Sequence, residues 1–127
     1  MDDAVRPPLK VFLVEDSPLL RTRVEAMIAA IPGAVLAGHA AEADAAVDGI
    51  LAAGADAVVL DLHLAKGSGF DVLRRVMERA PGTRVYVLTN YPTDAHRSTA
   101  ARLGALGFYD KSSEFEALRG TLTAAAA

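Results

Sequence analysis

Two hydrophobic rhythms alternate along the chain. Short, nearly unbroken apolar runs rich in β-branched residues occur at Val11–Val14, Ala34–Ala37, Ala57–Leu60, Arg84–Leu88 and Leu106–Tyr109. Runs this short, without polar alternation, suit strands buried on both faces of a parallel sheet. Segments of helical length lie between them. Ser17-Pro18 is a helix start, because Ser caps and Pro is tolerated at the first helical position. Leu20, Val24, Met27, Ile28 and Ile31 then recur three or four residues apart until Pro32-Gly33 stops the helix. A second helix spans Glu42 to Ala53 with Val47, Ile50 and Leu51 inward, closed by Gly54. A third spans Phe70 to Arg79 with Phe70, Leu73, Val76 and Met77 inward, stopped by Pro81-Gly82. Thr93 or Asp94 caps a polar fourth helix that runs to Leu103 and ends at Gly104. Ser112 or Ser113 caps the fifth, which buries Phe115, Leu118 and Leu122 and frays from Thr121.

Five strands thus alternate with five helices. Strict alternation implies parallel pairing through right-handed crossovers, hence an open sheet covered on both faces. The expected division is a disordered tail over residues 1–8, one domain over residues 9–123 and a frayed alanine tail over residues 124–127.

Composition narrows the class. The 127 residues fit one domain, and 52% hydrophobic with 23% charged is a globular balance. Cysteine is absent, which removes disulfides, thiolate metal sites and cysteine nucleophiles. No apolar run reaches the roughly 18 residues needed to span a bilayer. The start, Met1 to Pro8, is acidic and proline-containing, unlike a signal peptide, so a cytoplasmic location is expected. The net charge of -3 gives no electrostatic reason to expect nucleic acid. His39, His63 and His96 lack metal-ligand spacing, so no zinc site is expected.

In an open parallel sheet, ligands bind beyond the carboxyl ends of the strands. There the first strand ends in Glu15-Asp16, the third in Asp61 and the fourth in Thr89-Asn90, while Asp110-Lys111 follows the fifth. The second ends in Gly38-His39, with no comparable cluster. Three carboxylates, a hydroxyl and a lysine therefore converge on one edge. Three acids in one pocket repel one another unless a cation is present. Oxygen-only ligands with an incomplete protein shell suit Mg²⁺, which keeps waters and often binds alongside phosphate. A carboxylate beside such a metal can act as a nucleophile toward phosphorus. Mg²⁺ and one lysine could supply the positioning and charge neutralisation that phosphoryl transfer needs.

With these residues in order, the chain from about Lys10 to Leu122 resembles the receiver domain of bacterial response regulators. The resemblance rests on Glu15-Asp16 within Val-Glu-Asp-Ser, Asp61 within Val-Val-Leu-Asp-Leu, and Gly69 within Lys-Gly-Ser-Gly-Phe. It rests further on Thr89 within Val-Leu-Thr-Asn and on Gly107-Phe108 with Lys111 three residues later. It implies a flavodoxin-like (βα)5 three-layer sandwich with strand order 2-1-3-4-5. It also implies that Asp61 accepts a phosphoryl group from a phosphohistidine on a sensor histidine kinase or histidine phosphotransfer protein. Asp16 would bind Mg²⁺ directly with Glu15 assisting, and Asp61 and the His63 backbone carbonyl would complete the protein's metal ligands. Lys111 and Thr89 would contact the phosphoryl oxygens. Phe108 would change rotamer with Thr89, passing the signal to a downstream protein target or effector domain through the face formed by helix 4, strand 5 and helix 5. On this reading the chain is a signalling phosphoacceptor with intrinsic phosphotransfer and autodephosphorylation, not an enzyme in the ordinary sense, and it needs no nucleic acid or membrane.

The departures are specific. Ser112 stands where the family usually has proline after the lysine, and a non-proline cis bond costs roughly 3 kcal/mol, so a trans Lys111–Ser112 bond is expected. Ala65 stands where proline is common after the phosphoacceptor, so a looser loop is expected. His63 and Tyr91 resemble residues that tune access of the hydrolytic water, and the bulk of Tyr91 is expected to slow autodephosphorylation. Gly67 and Gly69 are expected to shape a turn rather than cradle phosphate. Competing classes fit less well. Phosphatases with an aspartate nucleophile need a second acid two residues on, where this chain has His63. A dinucleotide binder needs a glycine-rich turn after strand one, where this chain has Val14-Glu15-Asp16-Ser17.

Overall fold

The computed structural model describes residues 6–127. Ten elements alternate in chain order: β1 (Leu9–Val14), α1 (Pro18–Ala29), β2 (Ala34–Ala40), α2 (Ala43–Ala53), β3 (Ala57–Leu60), α3 (Gly69–Arg79), β4 (Arg84–Thr89), α4 (Asp94–Arg102), β5 (Gly107–Asp110) and α5 (Phe115–Ala126). The strands form one parallel sheet in the order β2-β1-β3-β4-β5, the flavodoxin-like arrangement expected from the sequence.

The period of two along each strand divides the core into two layers. Phe12 and Val14, Val58 and Leu60, and Val85 and Val87 face one side, where they pack with residues of α2, α3 and α4. Val11 and Leu13, Ala57 and Val59, and Tyr86 and Leu88 face the other, against α1 and α5. Fully buried side chains such as Leu13, Leu60 and Leu88 each contribute roughly 1.5–3 kcal/mol of transfer free energy. β1, β3 and β4 are interior strands, which explains their unbroken apolar sequences. β2 and β5 are edges and correspondingly half-exposed, with Val35 and Leu36 open to solvent.

The local signals act as their chemistry dictates in α1, α2 and α4. Leu20 N–H donates to Ser17 Oγ at 3.3 Å, with Pro18 in the first turn. Gly54 ends α2 in the left-handed conformation at φ 61°. Thr93, one of the two candidates, caps α4 by accepting from His96 N–H. No peptide bond among the described residues is cis, Lys111–Ser112 included.

Four expectations need correction. β2 does not stop at Ala37 but runs to Ala40, with a bulge between its pairings to Val11 and Phe12. Gly38 lies inside it because the Phe12 ring occupies the place a Cβ would take, 2.8 Å from the nearest ring carbon. β5 begins one residue later than its apolar run, and Leu106 is 65% exposed. Neither Ser112 nor Ser113 caps α5. The cap position is Glu114, and the Ser112 hydroxyl donates instead to Asp110. α5 continues to Ala126 rather than fraying from Thr121, because Leu122 is fully buried, Ala126 packs on the same core layer and alanine favours helix. Of the tail expected at residues 1–8, residues 1–5 lie outside the described residues. Arg6 donates to the Ala127 carbonyl at 2.6 Å.

Candidate functional site

The carboxyl ends of β1 and β3 are adjacent in the sheet, and their ladders continue one residue past each strand. Glu15 N–H donates to the Ala40 carbonyl and Asp61 N–H to the Val14 carbonyl, each at 3.0 Å. This extension fixes the backbone of both acids. Oxygens of Glu15, Asp16 and Asp61 all lie within 4.8 Å of one another. Glu15 and Asp61 are each only 4% exposed, whereas Asp16 is open to solvent. Lys111, which follows β5, extends its amine into the cluster. Its Nζ stands 3.0 Å from Glu15 Oε1 and 3.0 Å from Asp61 Oδ2.

The other bonds of the acids are backbone-made. Ser17 N–H donates to Glu15 Oε2 at 3.0 Å, and His63 N–H to Asp61 Oδ1 at 3.3 Å. Burial pushes the Glu15 carboxyl above its ordinary range and the Asp61 charge pushes the same way, while the Ser17 N–H and Lys111 oppose them. With all three acids ionised, one lysine leaves two negative charges uncompensated. A hard divalent cation fits that deficit, and the donors are all oxygens clustered on one side of a cleft.

That cleft is small, about 200 Å³, and is lined by Glu15, Asp16, Ser17, Asp61, His63, Asn90, Tyr91 and Lys111. The His63 and Tyr91 rings meet edge to face with centroids 4.2 Å apart, so the two form one aromatic wall. Thr89 is fully buried at the end of β4 and does not line the cleft; its Oγ1 accepts from Tyr91 N–H at 3.2 Å. Phe108 also lies away from the cleft. It packs against the α4 side of the core beneath the Arg97 guanidinium, which stands 4.7 Å above the ring centroid. The structure therefore gathers Glu15, Asp16, Asp61, His63, Tyr91 and Lys111 around one space and keeps Thr89 and Phe108 behind it.

Gly69 explains how the loop after Asp61 closes. A Cβ at this position would sit 2.2 Å from the Asp61 carbonyl oxygen and 2.7 Å from Leu62 Cα, so α3 can begin against the end of β3 only with glycine. Gly69 N–H donates to the Leu62 carbonyl, and Ser68 Oγ caps the helix by accepting from Phe70 N–H. Gly67 takes φ 82°, so both glycines shape the turn. Ala65 is not left loose. Its N–H donates to the Ala41 carbonyl, and Ala43 N–H to the Lys66 carbonyl, tying this loop to the one after β2.

Several contacts here escaped sequence reading, even where the sequence places the residues themselves, such as Asn90 and Asp110, at the strand ends. Ser17, read only as a cap, also supplies the N–H that holds Glu15. Asn90 lines the cleft, and Asp110, Ser112, Glu114 and Arg97 form a connected polar group behind Lys111. The Asp110-Lys111-Ser112 order was a usable signal, since an aspartate readily accepts from the N–H two residues on.

Comparison with known proteins gives a consistent result. The family model described as the response regulator receiver domain matches residues 11–123. The chain is 38% identical over 106 residues to protein-glutamate methylesterase/protein-glutamine glutaminase 2 of Anaeromyxobacter dehalogenans, covering 84% of this chain and 31% of that protein. It is 33% identical over 103 residues to the DNA-binding transcriptional activator DevR/DosR of Mycobacterium tuberculosis, covering 81% and 48%. The chain thus spans a third to a half of these curated relatives. Among solved structures, a two-component response regulator of the LuxR family from Aurantimonas superimposes with TM-score 0.87 at 27% identity, covering 94% of this chain and 85% of that one. The signal receiver domain of the response regulator NarL from Mycobacterium tuberculosis superimposes with TM-score 0.86 at 25% identity, covering 95% and 98%.

Proposed function

We propose a phosphoacceptor function on the premise that this chain belongs to the response regulator receiver domain family. Asp61 is the acceptor. The observation that carries this is the Lys111 amine, held 3.0 Å from both Asp61 and Glu15 inside a three-carboxylate cluster.

The transfer follows from the positions of the groups. An Asp61 carboxylate oxygen attacks phosphorus of a phosphohistidine presented by a sensor histidine kinase or histidine phosphotransfer protein. The O–P bond forms, the N–P bond breaks, and its electron pair returns to the imidazole nitrogen of the donor. Lys111 follows the incoming negative charge, moving from the carboxylates to phosphoryl oxygens. Glu15, Asp16, Asp61 and the His63 carbonyl would hold Mg²⁺, which would supply charge neutralisation for the transferring group. Ser17 and the backbone N–H of His63 keep the carboxylates oriented. The ring wall of His63 and Tyr91 restricts entry of water from its side and so lengthens the life of the acyl phosphate.

Thr89 and Phe108 carry the response. Thr89 spends its hydroxyl oxygen on the loop that carries Tyr91, so turning toward a phosphoryl oxygen exchanges that contact for a new one. Phe108 then takes the space Thr89 leaves. The phosphoryl group favours an arrangement already present at low population, by its differential contacts. The exposed reader of that change is α4, β5 and α5, where Ala100 is the one fully buried residue of α4. A downstream protein or effector domain binds there. The ester hydrolysis and DNA binding named for the relatives belong to proteins of which this chain spans 31% and 48%. No helix among the described residues is long and apolar enough to cross a membrane, and action inside the cytoplasm fits the donor chemistry.

The deciding experiment is labelling with acetyl phosphate and Mg²⁺, wild type against Asp61→Asn. Wild type is expected to form an acid-stable, alkali-labile acyl phosphate and the variant none. Equal labelling of both would end the assignment.

A further inference from the structure

A lysine amine is a point charge on a flexible four-carbon stem, so its reach depends on how its own backbone is held. Lys111 sits at the last contact of an edge strand. Its N–H donates to the Thr89 carbonyl at 2.9 Å, and beyond it the chain turns away from the sheet. That turn is organised by one residue that does not line the cleft. Asp110 Oδ1 accepts from Ser112 N–H at 2.9 Å and from the Ser112 hydroxyl at 2.8 Å. The Asp110 carbonyl accepts from Glu114 N–H at 2.8 Å, and Asp110 N–H donates to Glu114 Oε1 at 3.0 Å. The same Glu114 oxygen stands 3.5 Å from Arg97 Nη2, whose guanidinium covers the Phe108 ring. The N–H, the carbonyl and one carboxylate oxygen of Asp110 are therefore engaged, and these partners lie on the segment that immediately follows Lys111.

We propose that Asp110, through its paired bonds to Ser112, is the positioning residue that aims Lys111 at Asp61. This deepens the phosphoacceptor reading and rests on it. The bonds pin the residues on both sides of Lys111, leaving only the side-chain torsions to be ordered by the carboxylates. The device needs an N–H at residue 112, so proline, which lacks one, would dismantle it here. Glu114 extends the hold to α4, so the lysine and the Phe108 ring share one polar scaffold.

The test uses Asp110→Ala and Asp110→Asn in the full chain, with acetyl phosphate labelling rate, Mg²⁺ affinity by calorimetry and thermal midpoint as readouts. Asp110→Ala is expected to slow labelling about 10- to 100-fold, the scale of a roughly 1 Å misplacement of a reacting group. Its Mg²⁺ affinity is expected to be equal or higher, because a loosened Lys111 competes less for Glu15 and Asp61. Asp110→Asn keeps an oxygen that accepts both bonds and is expected to label within about threefold of wild type. Should Asp110→Ala fold poorly, Ser112→Ala, which removes the hydroxyl alone, is expected to slow labelling about threefold at unchanged Mg²⁺ affinity. The proposal is overturned if Asp110→Ala labels at the wild-type rate, if Asp110→Asn falls as far as alanine, or if Mg²⁺ affinity falls in step with labelling. A wild type that takes no label overturns the phosphoacceptor reading itself, which separates the two failures.

Discussion

Gly69 gives the most direct test of how the fold positions Asp61, the proposed acceptor. In Gly69→Ala the new Cβ would meet the Asp61 carbonyl oxygen at 2.2 Å, Leu62 Cα at 2.7 Å and the Asp61 carbonyl carbon at 3.0 Å. All three are backbone atoms, so no side chain can swing aside. Ordinary contact requires the two segments to part by roughly 1 Å. Overpacking of this kind costs about 1–3 kcal/mol. The helix propensity gained by alanine is at most about 1 kcal/mol and smaller at the first helical residue, so the clash wins. The expected net loss of about 1–2 kcal/mol lowers the thermal midpoint by roughly 4–10 °C in a domain of this size. Function suffers more than stability, because the displaced atoms belong to Asp61 itself. A shift of roughly 1 Å is expected to reduce acetyl phosphate labelling by up to about 100-fold. Urea melts and labelling time courses on the same preparation measure both. A variant with wild-type stability and wild-type labelling would refute the claim that the start of α3 packs directly on the backbone of Asp61 and Leu62.

Three further outcomes follow from the same geometry. Lys111→Ala leaves two buried carboxylates facing each other and is expected to lose about 3 kcal/mol in chelator; saturating Mg²⁺ should restore more stability to it than to wild type, and equal urea midpoints in chelator would contradict this. Tyr91→Ala opens the aromatic wall and is expected to speed loss of the acyl phosphate about fivefold, equivalent to roughly 1 kcal/mol of barrier, a change followed by decay of label after donor removal; an unchanged decay rate removes Tyr91 from that role. Burial first, and the Asp61 charge after it, raise the folded-state value of Glu15 above the unfolded one, so folding favours its protonated form. The stability this contributes is complete below the ordinary glutamate range and is lost as pH rises through the raised value. In metal-free protein, the stability of wild type relative to Glu15→Gln is therefore expected to fall with rising pH, and a difference independent of pH would count against it.

The interior strands were readable because burial on both faces leaves an unbroken apolar run, as at Ala57–Leu60. The edges were less readable. Leu106 continues an apolar run and yet is exposed, just before β5, which is the edge of the sheet among the described residues. Gly38 reads as a strand end from local propensity, while its cause is the Phe12 ring packed across it, a contact between residues 26 positions apart. The acidic cluster was legible because each member ends a strand, and parallel strands bring such ends together whatever lies between. The support behind Lys111 was not, because it depends on which of several nearby serines and acids bond to one another. Ser112 was read as a candidate cap of α5 and through the pyrrolidine ring it lacks, whereas its N–H and hydroxyl are both given to Asp110.

The distribution of packing is compatible with the proposed function, in which one domain holds a fixed site and still responds to it. Glu15 and Asp61 continue β1 and β3, strands whose inner residues are almost wholly buried between two helical layers. Thr89 ends β4, equally buried on both sides. Moving any of these would disturb both core layers at once. Phe108 and Lys111 instead belong to the edge strand and its exit, where every residue of β5 is half-exposed and α4 contributes a single fully buried side chain. Regions with fewer buried contacts are the ones that rearrange at low free-energy cost. A charge change at Asp61 would therefore act first on Lys111, the one cation held in the cluster among the described residues, and the backbone that carries Lys111 is bonded through Asp110 and Glu114 to the guanidinium over Phe108. On the proposed function, the rigid half of the sheet would fix where a phosphoryl group goes, and the loosely packed edge would be the part free to register its arrival.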